Sequence, residues 1–217
     1  MDTNSKFVIT INRELGSGGR TIGRKLAEKL GVKFLDKALV EGLVDTLGLS
    51  VEEIEKRKGR KQNWLTELLE SMAAIQPTPR PFVPDLQPIS YLVTTNDIFE
   101  VESRLLRDIA SQESCVVMGR SGFFILKDLP NKTSIFITAS PEHRISRVMA
   151  RQGLGRADAE KAIKAVDEGR ENYTKHYSGT SRYDTRNYDL VLNVDGLSED
   201  QAVDIILKYL EDSSSQS

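Results

Sequence analysis

The stretch Val8-Ile9-Thr10-Ile11-Asn12-Arg13-Glu14-Leu15-Gly16-Ser17-Gly18-Gly19-Arg20-Thr21 decides the fold. Residues 7–11 are a short β-branched run that reads as a buried strand. Residues 13–19 are a glycine-rich turn. Residues 21–30 then carry Ile22, Leu26, Ala27 and Leu30 at helical spacing, and Gly31 ends that helix. A strand, a glycine turn and a helix start in this order can aim backbone N–H groups at phosphate oxygens. Glycines permit the positive φ and the close approach that such a turn needs.

Two phosphate-binding patterns compete for the turn, beside the plain alternative of a glycine-rich turn with no ligand. The dinucleotide fingerprint fits Gly16 and Gly18, but its third glycine falls on Thr21. Asp36, 20 residues beyond Gly16, has the spacing of a ribose-binding acid in that pattern. The P-loop pattern G-x-x-x-x-G-K-[ST] can be laid on Gly19-Arg20-Thr21. Gly19 and Thr21 then match, Arg20 replaces the lysine and Glu14 the first glycine. In that alignment Arg20 reaches the β/γ-phosphates and Thr21 offers its hydroxyl to Mg²⁺. Arginine is always charged and can grip phosphate bidentately, but it is bulkier than lysine.

Outward from the turn, helices alternate with short apolar strands. Strands are expected at 32–35, 115–118, 133–138 and 190–194. Helices are expected at 37–47, after Ser50, at 64–75, from 96 or 97 to about 112, from Pro141, at about 158–176 and at 198–210. Continuous apolar strands between helices predict an α/β protein with a parallel sheet covered on both faces. Residues 76–90 hold Pro77, Pro79, Pro81, Pro84 and Pro88 and read as an irregular extended segment.

The bulk composition narrows the class. The chain has 217 residues, enough for one sizeable α/β domain, and a formal net charge of −2, which gives no hint of nucleic-acid binding. The basic run KRKGRK at 56–61 reads first as a solvated helix end and second as a nucleic-acid patch. Cys115 is the single cysteine, which excludes an intrachain disulfide and a cysteine-rich zinc site. Its apolar neighbours predict a buried thiol rather than a reactive one. Residues 1–12, MDTNSKFVITIN, lack the marks of a signal peptide, and no apolar run reaches the ~20 residues of a membrane span. A cytoplasmic protein is therefore expected, with no membrane partner.

Several blocks together carry a family resemblance. The run ITINRELGSGGRTIGRKLAEKLGVKFLDKALV resembles the cytidylate kinase-like family, an offshoot of the P-loop nucleoside monophosphate kinases. Val116-Val117-Met118-Gly119-Arg120-Ser121-Gly122 resembles the block that begins Gly-Arg-Asp in cytidylate kinases. Ile135-Phe136-Ile137-Thr138-Ala139-Ser140-Pro141-Glu142-His143-Arg144 resembles the strand and helix start before the lid. Asp167-Glu168-Gly169-Arg170 resembles the lid's Asp-x-x-Arg, and Tyr188-Asp189-Leu190-Val191-Leu192-Asn193 resembles the last strand. The resemblance is weakest over residues 59–95.

The resemblance implies a three-layer α/β/α P-loop fold with a parallel sheet of about five strands. A single domain over 1–217 would carry a helical and proline-rich acceptor-side insertion at 48–95 and a lid at about 150–185. It implies transfer of the γ-phosphoryl group of ATP, with Mg²⁺, to a nucleoside monophosphate, most simply CMP. The alternatives are a kinase of another small phosphate acceptor and a nucleotide-binding protein without turnover. By position, Gly16, Ser17, Gly18, Gly19, Arg20 and Thr21 would hold ATP, and Thr21 the metal. Asp36 and Arg120 would face the acceptor. Arg144, Arg147, Arg151 and Arg170 would be lid-side cations, with Arg20, Arg144 and Arg170 acting on the transferred group and Asp167 orienting an arginine. Each has a plainer alternative: Asp36 as a helix cap, the Arg144, Arg147 and Arg151 stripe as a solvated face, and Asp167 with Arg170 as a surface pair. Ser121 stands where cytidylate kinases carry aspartate, which leaves the acceptor base open. The expected partners are small-molecule nucleotides, and a homodimer is compatible with the sequence.

Overall fold

A computed structural model describes residues 1–3, 5–37 and 95–214. The helices expected between residues 37 and 75 and the proline-rich segment 76–90 lie outside the described residues. By its contacts the chain divides into two compact units, Met1–Val40 with Leu106–Ser217, and Glu41–Leu105. The first unit contains the sheet.

In chain order the described elements are β1 (Val8–Arg13), α1 (Gly19–Leu30), β2 (Lys33–Leu35), α2 (Thr95–Gln112), β3 (Cys115–Met118), α3 (Gly122–Ile125), β4 (Lys132–Thr138), α4 (Pro141–Gln152), α5 (Arg156–Ser178), β5 (Leu190–Asn193) and α6 (Glu199–Ser214). The five strands form one sheet in the order β2-β3-β1-β4-β5, and every pair is parallel. Ile11 lies opposite Met118 on β3 and Ile135 on β4, so β1 is central. The α/β fold with a parallel five-stranded sheet is therefore as expected.

The alternation of side chains along β1 sorts the layers. Ile9 and Ile11 belong to a buried cluster with Ile22 and Leu26 of α1, Val116 and Met118 of β3, and Val203 and Ile206 of α6. Thr10 faces the other way, where its hydroxyl donates to Ser134 Oγ at 3.0 Å. Gly122 of α3 sits over Thr10 and Val117 on that side. Fully burying an isoleucine or leucine is worth roughly 1.5–3 kcal/mol. The α1–α6 face therefore supplies several such burials to the strand that leads into the glycine turn.

Two details differ from the sequence expectation. Helix α1 begins at Gly19, two residues before Thr21, because the Thr21 and Ile22 amides already donate to the Gly18 carbonyl. A short helix, α3, follows β3 after a three-residue turn. No helix among the described residues is long and apolar enough to cross a membrane.

Candidate active site

The turn between β1 and α1 leaves several backbone donors open. Gly16 and Gly18 have φ of +88° and +78°, values that favour glycine. A Cβ on Gly16 would lie 2.6 Å from the Arg144 carbonyl oxygen, so α4 presses on the loop too closely for any side chain. The Glu14 amide donates to Ile137, the Ser17 amide to Glu14 and the Leu15 amide to Asp167. Among the described residues, the amides of Gly16, Gly18, Gly19 and Arg20 have no hydrogen-bond acceptor. Four donors at a helix N-terminus suit an anion. Ser17 turns its hydroxyl inward to the Glu14 carbonyl at 2.9 Å. Only its backbone is left for a ligand.

A buried ionic hub holds this loop from behind. Asp167 on α5 accepts from the Leu15 amide at 3.0 Å, from Arg144, from Arg170 at 3.2 Å and from Arg182 at 3.4 Å. Arg144 also donates to the Leu15 carbonyl at 2.8 Å and to Glu14 at 2.9 Å, while Glu14 accepts from Thr138. Glu14 is thereby drawn into the network behind the loop. Arg182 is 2 % exposed and donates to the Arg13 carbonyl, as does Arg170 at 3.3 Å. Tyr188 steadies Arg182: its hydroxyl donates to the Arg182 carbonyl and accepts from Asn12, both at 2.7 Å. Burial lifts that phenol to about pH 12, so it remains a donor.

Beside the loop opens a cleft of about 390 Å³, a size usual for small-molecule sites. Arg13, Arg120, Arg170, Arg182 and Lys37 line it, and no carboxylate does among the described residues. The Arg120 side is built by an unusual turn at the end of β3. Gly119, Arg120 and Ser121 all have positive φ, at 75°, 54° and 51°. Non-glycine residues in this region cost on the order of 1–3 kcal/mol each, and such strain concentrates at functional sites. Arg120 stands over the Tyr173 ring at 5.4 Å. Ser121 is buried, with Oγ 3.5 Å from Thr174 Oγ1.

The cleft is electrically incomplete. Burial, followed by the charges of Arg170, Arg182 and Arg20, pulls Arg13 down to about 9, against a smaller upward pull from Asp36. Arg170 is lowered too, by burial and by Arg182. Cations that disfavour one another's charge in this way are stabilised by a bound anion.

The expected site residues therefore separate. Gly16, Gly18, Gly19 and Arg20 present their amides together, and Arg120 and Arg170 meet in the cleft. Asp167 orients arginines, and it does so for three of them rather than as a surface pair. Arg144 lies buried in the hub, with its guanidinium on Glu14, Asp167 and the Leu15 carbonyl, and is not in the cleft lining. The Arg144, Arg147 and Arg151 stripe does not act as one face. Arg147 lies beside Gly18 and binds Glu199 at 2.5 Å, and Arg151 is exposed. The Arg20 guanidinium engages Asp36 at 3.0 and 2.5 Å, and its side chain is 57 % exposed. Asp36 is thus a partner of Arg20. Thr21 lies in the first turn of α1. Arg13, Arg182 and Lys37 were not singled out from the sequence. Arg182 stands in a Ser-Arg-Tyr loop with no periodic signal, and Arg13 lies before both glycine patterns as they fall on the sequence.

Comparisons with known proteins bear on the family and the fold. The sequence profile described as the cytidylate kinase-like family matches residues 8–196. A cytidylate kinase from Archaeoglobus fulgidus is 27% identical over 209 residues, covering 94% of each chain. One from Methanopyrus kandleri is 26% identical, covering 92% of this chain and 90% of its own. An uncharacterised protein from Eubacterium ventriosum has a similar structure, with a TM-score of 0.67 at 26% identity over 94% of this chain and 98% of that one. Shikimate kinase from Bacteroides thetaiotaomicron shares the fold, with a TM-score of 0.50 at 16% identity over 94% and 98% of the two chains. With its loop, its parallel sheet and its matched span taken together, this chain belongs to the cytidylate kinase-like family.

Proposed function

We propose that this protein transfers the γ-phosphoryl group of ATP to a nucleoside monophosphate, with CMP or dCMP the first acceptor to test. The observation that carries the reading is the cleft: four arginines and a lysine, no carboxylate among the described residues, and a loop of open amides beside it. The amides of Gly16, Gly18, Gly19 and Arg20 hold the donor phosphates. Arg120, Arg170 and Arg182 hold the acceptor phosphate. An acceptor phosphate oxygen attacks the γ-phosphorus, the bond to the β–γ bridging oxygen breaks, and ADP departs. The protein's share of this reaction is alignment and charge neutralisation.

The cationic lining of the cleft, with no carboxylate among the described residues, favours a phosphate acceptor over a hydroxyl one. A hydroxyl must lose its proton as it is phosphorylated, and kinases that use one supply an aspartate to accept it. A phosphate monoester oxygen is already anionic near neutral pH and needs no base. Among the described residues no cluster of three His, Cys, Asp or Glu side chains could hold a metal. Mg²⁺ would be held largely by the nucleotide phosphates, which is the usual manner for this ion. Bound in that way, it would neutralise charge on the β- and γ-phosphates.

The test is ADP release from ATP and Mg²⁺ against a panel of ribo- and deoxyribonucleoside monophosphates, with shikimate and gluconate as hydroxyl acceptors. The proposal expects turnover with at least one nucleoside monophosphate, pyrimidines first. Turnover confined to the hydroxyl acceptors would refute it. ATP binding with no turnover on any acceptor would favour a nucleotide-binding role instead.

A further inference from the structure

We propose that Arg13 is the phosphate-binding cation of the loop, supplied from the end of β1 in place of a lysine on α1. The proposal rests on the phosphate-loop reading above. Helix α1 starts at Gly19 behind the left-handed Gly18, which lays the pattern G-x-x-x-x-G-K-[ST] on residues 13–20. In that register Arg13 stands at the first glycine, Gly19 at the lysine and Arg20 at the hydroxyl residue, with Thr21 one position beyond the pattern. A cation and a glycine have changed places.

The side-chain geometry explains the exchange. A Cβ on Gly19 would lie 2.6 Å from Arg13 Cβ and 3.0 Å from its Cγ. The stem of Arg13 therefore runs through the space in which a side chain at position 19 would start. At its far end, a Cβ on Gly119 would collide with the Arg13 guanidinium. Arg13 thus passes from the first turn of α1 to the end of β3, with a glycine under each end of its side chain. This path leads from the loop's open amides into the cleft, which Arg13 also lines. A cation there touches both the donor and the acceptor side of an in-line transfer.

The alternatives are otherwise engaged. Arg20 is bound to Asp36, Arg144 to Glu14 and Asp167, and Arg147 to Glu199. Among the described residues the Arg13 guanidinium has no hydrogen-bond acceptor. It faces Arg20 from α1, Arg170 from α5, Arg182 from the loop after α5, and Asp36 after β2. Burial and the three like charges hold its charged form at a disadvantage that an anion removes.

Binding of ATP and of inorganic tripolyphosphate to the intact chain, read by calorimetry, tests the proposal without requiring turnover. Arg13→Met should weaken both by about 10- to 100-fold, the range for a lost charge-assisted contact. The melting temperature of its ligand-free form should equal or exceed that of the wild type, because the variant relieves like-charge crowding. Gly19→Lys alone should also lose binding, since its side chain meets the Arg13 stem. The double variant Arg13→Gly with Gly19→Lys restores the usual order and should recover at least tenfold over the weaker single variant. Arg20→Met should lose less than Arg13→Met. The proposal is overturned if Arg13→Met binds like the wild type, if Arg20→Met loses more, or if the double variant is no better than the weaker single one. A wild-type chain that binds neither ATP nor tripolyphosphate overturns this proposal together with the phosphate-loop reading. Turnover failing on every acceptor while the binding results hold refutes only the transfer reaction.

Discussion

Asp167→Asn should be strongly destabilising. The carboxylate is 8 % exposed and receives the Leu15 amide and three arginines, one of which, Arg182, is itself 2 % exposed. Asparagine keeps the shape but leaves three guanidinium groups facing one another without the buried negative charge. Breaking a buried ion pair by removing one partner costs about 3–5 kcal/mol, because an uncompensated charge remains. For a chain of 217 residues each kcal/mol moves the melting temperature by roughly 2–4 °C. The expected fall is therefore about 6–20 °C, read by circular dichroism at 222 nm with increasing temperature. The loop loses the anchor of Leu15 at the same time, so ATP affinity should fall in the protein that remains folded. A melting temperature within about 2 °C of the wild type would show that Asp167 is a solvated surface group and would refute the hub.

Other consequences are open to simpler measurements. Gly16→Ala forces φ of +88° on a residue with a Cβ and drives it against the Arg144 carbonyl; ATP affinity by calorimetry should drop at least tenfold, with a stability loss of about 1–3 kcal/mol in urea. Tyr188→Phe leaves the Asn12 amide and the Arg182 carbonyl without a partner, which should cost about 1–3 kcal/mol by the same assay. Burial raises the Cys115 thiol to about 12, so iodoacetamide at pH 8 should label the unfolded chain and spare the native one. The native thiol keeps its proton up to about 12 while the unfolded one releases it near 9.0. Stability should therefore decline as pH rises between those values, and Cys115→Ala should remove that part of the decline.

Much of the scaffold could be read from the chain because local rules govern it. Apolar strands with β-branched residues, helices at 3.6-residue spacing and glycine stops need no tertiary information, and Gly31 and Gly153 do cap their helices in the left-handed conformation. The glycine-rich turn itself was legible, since Gly16 and Gly18 supply the positive φ it needs. The placement of the arginines around it was not. Arg20 follows the glycines and looks like the replacement lysine, yet its side chain turns to Asp36, sixteen residues on. Arg13 precedes them and reaches the cleft only because Gly19 and Gly119 leave room, and one of those glycines lies in the turn after another strand. The three arginines of α4 share one helical face in the sequence but part in space. Arg144 meets Glu14 and Asp167, Arg147 meets Glu199, and Arg151 remains exposed, because each finds a different neighbouring element. Arg182 gave no signal at all: its burial depends on Asp167, Tyr188 and the Arg13 carbonyl, all distant in sequence.

The most direct test of phosphoryl transfer is to follow the label from γ-³²P-ATP with Mg²⁺ and CMP, then separate the nucleotides. The account predicts label in the β-phosphate of CDP, appearing in a one-to-one ratio with ADP, and lost when CMP is omitted. Label found only in inorganic phosphate, or retained in ATP across CMP and every other nucleoside monophosphate, would contradict it.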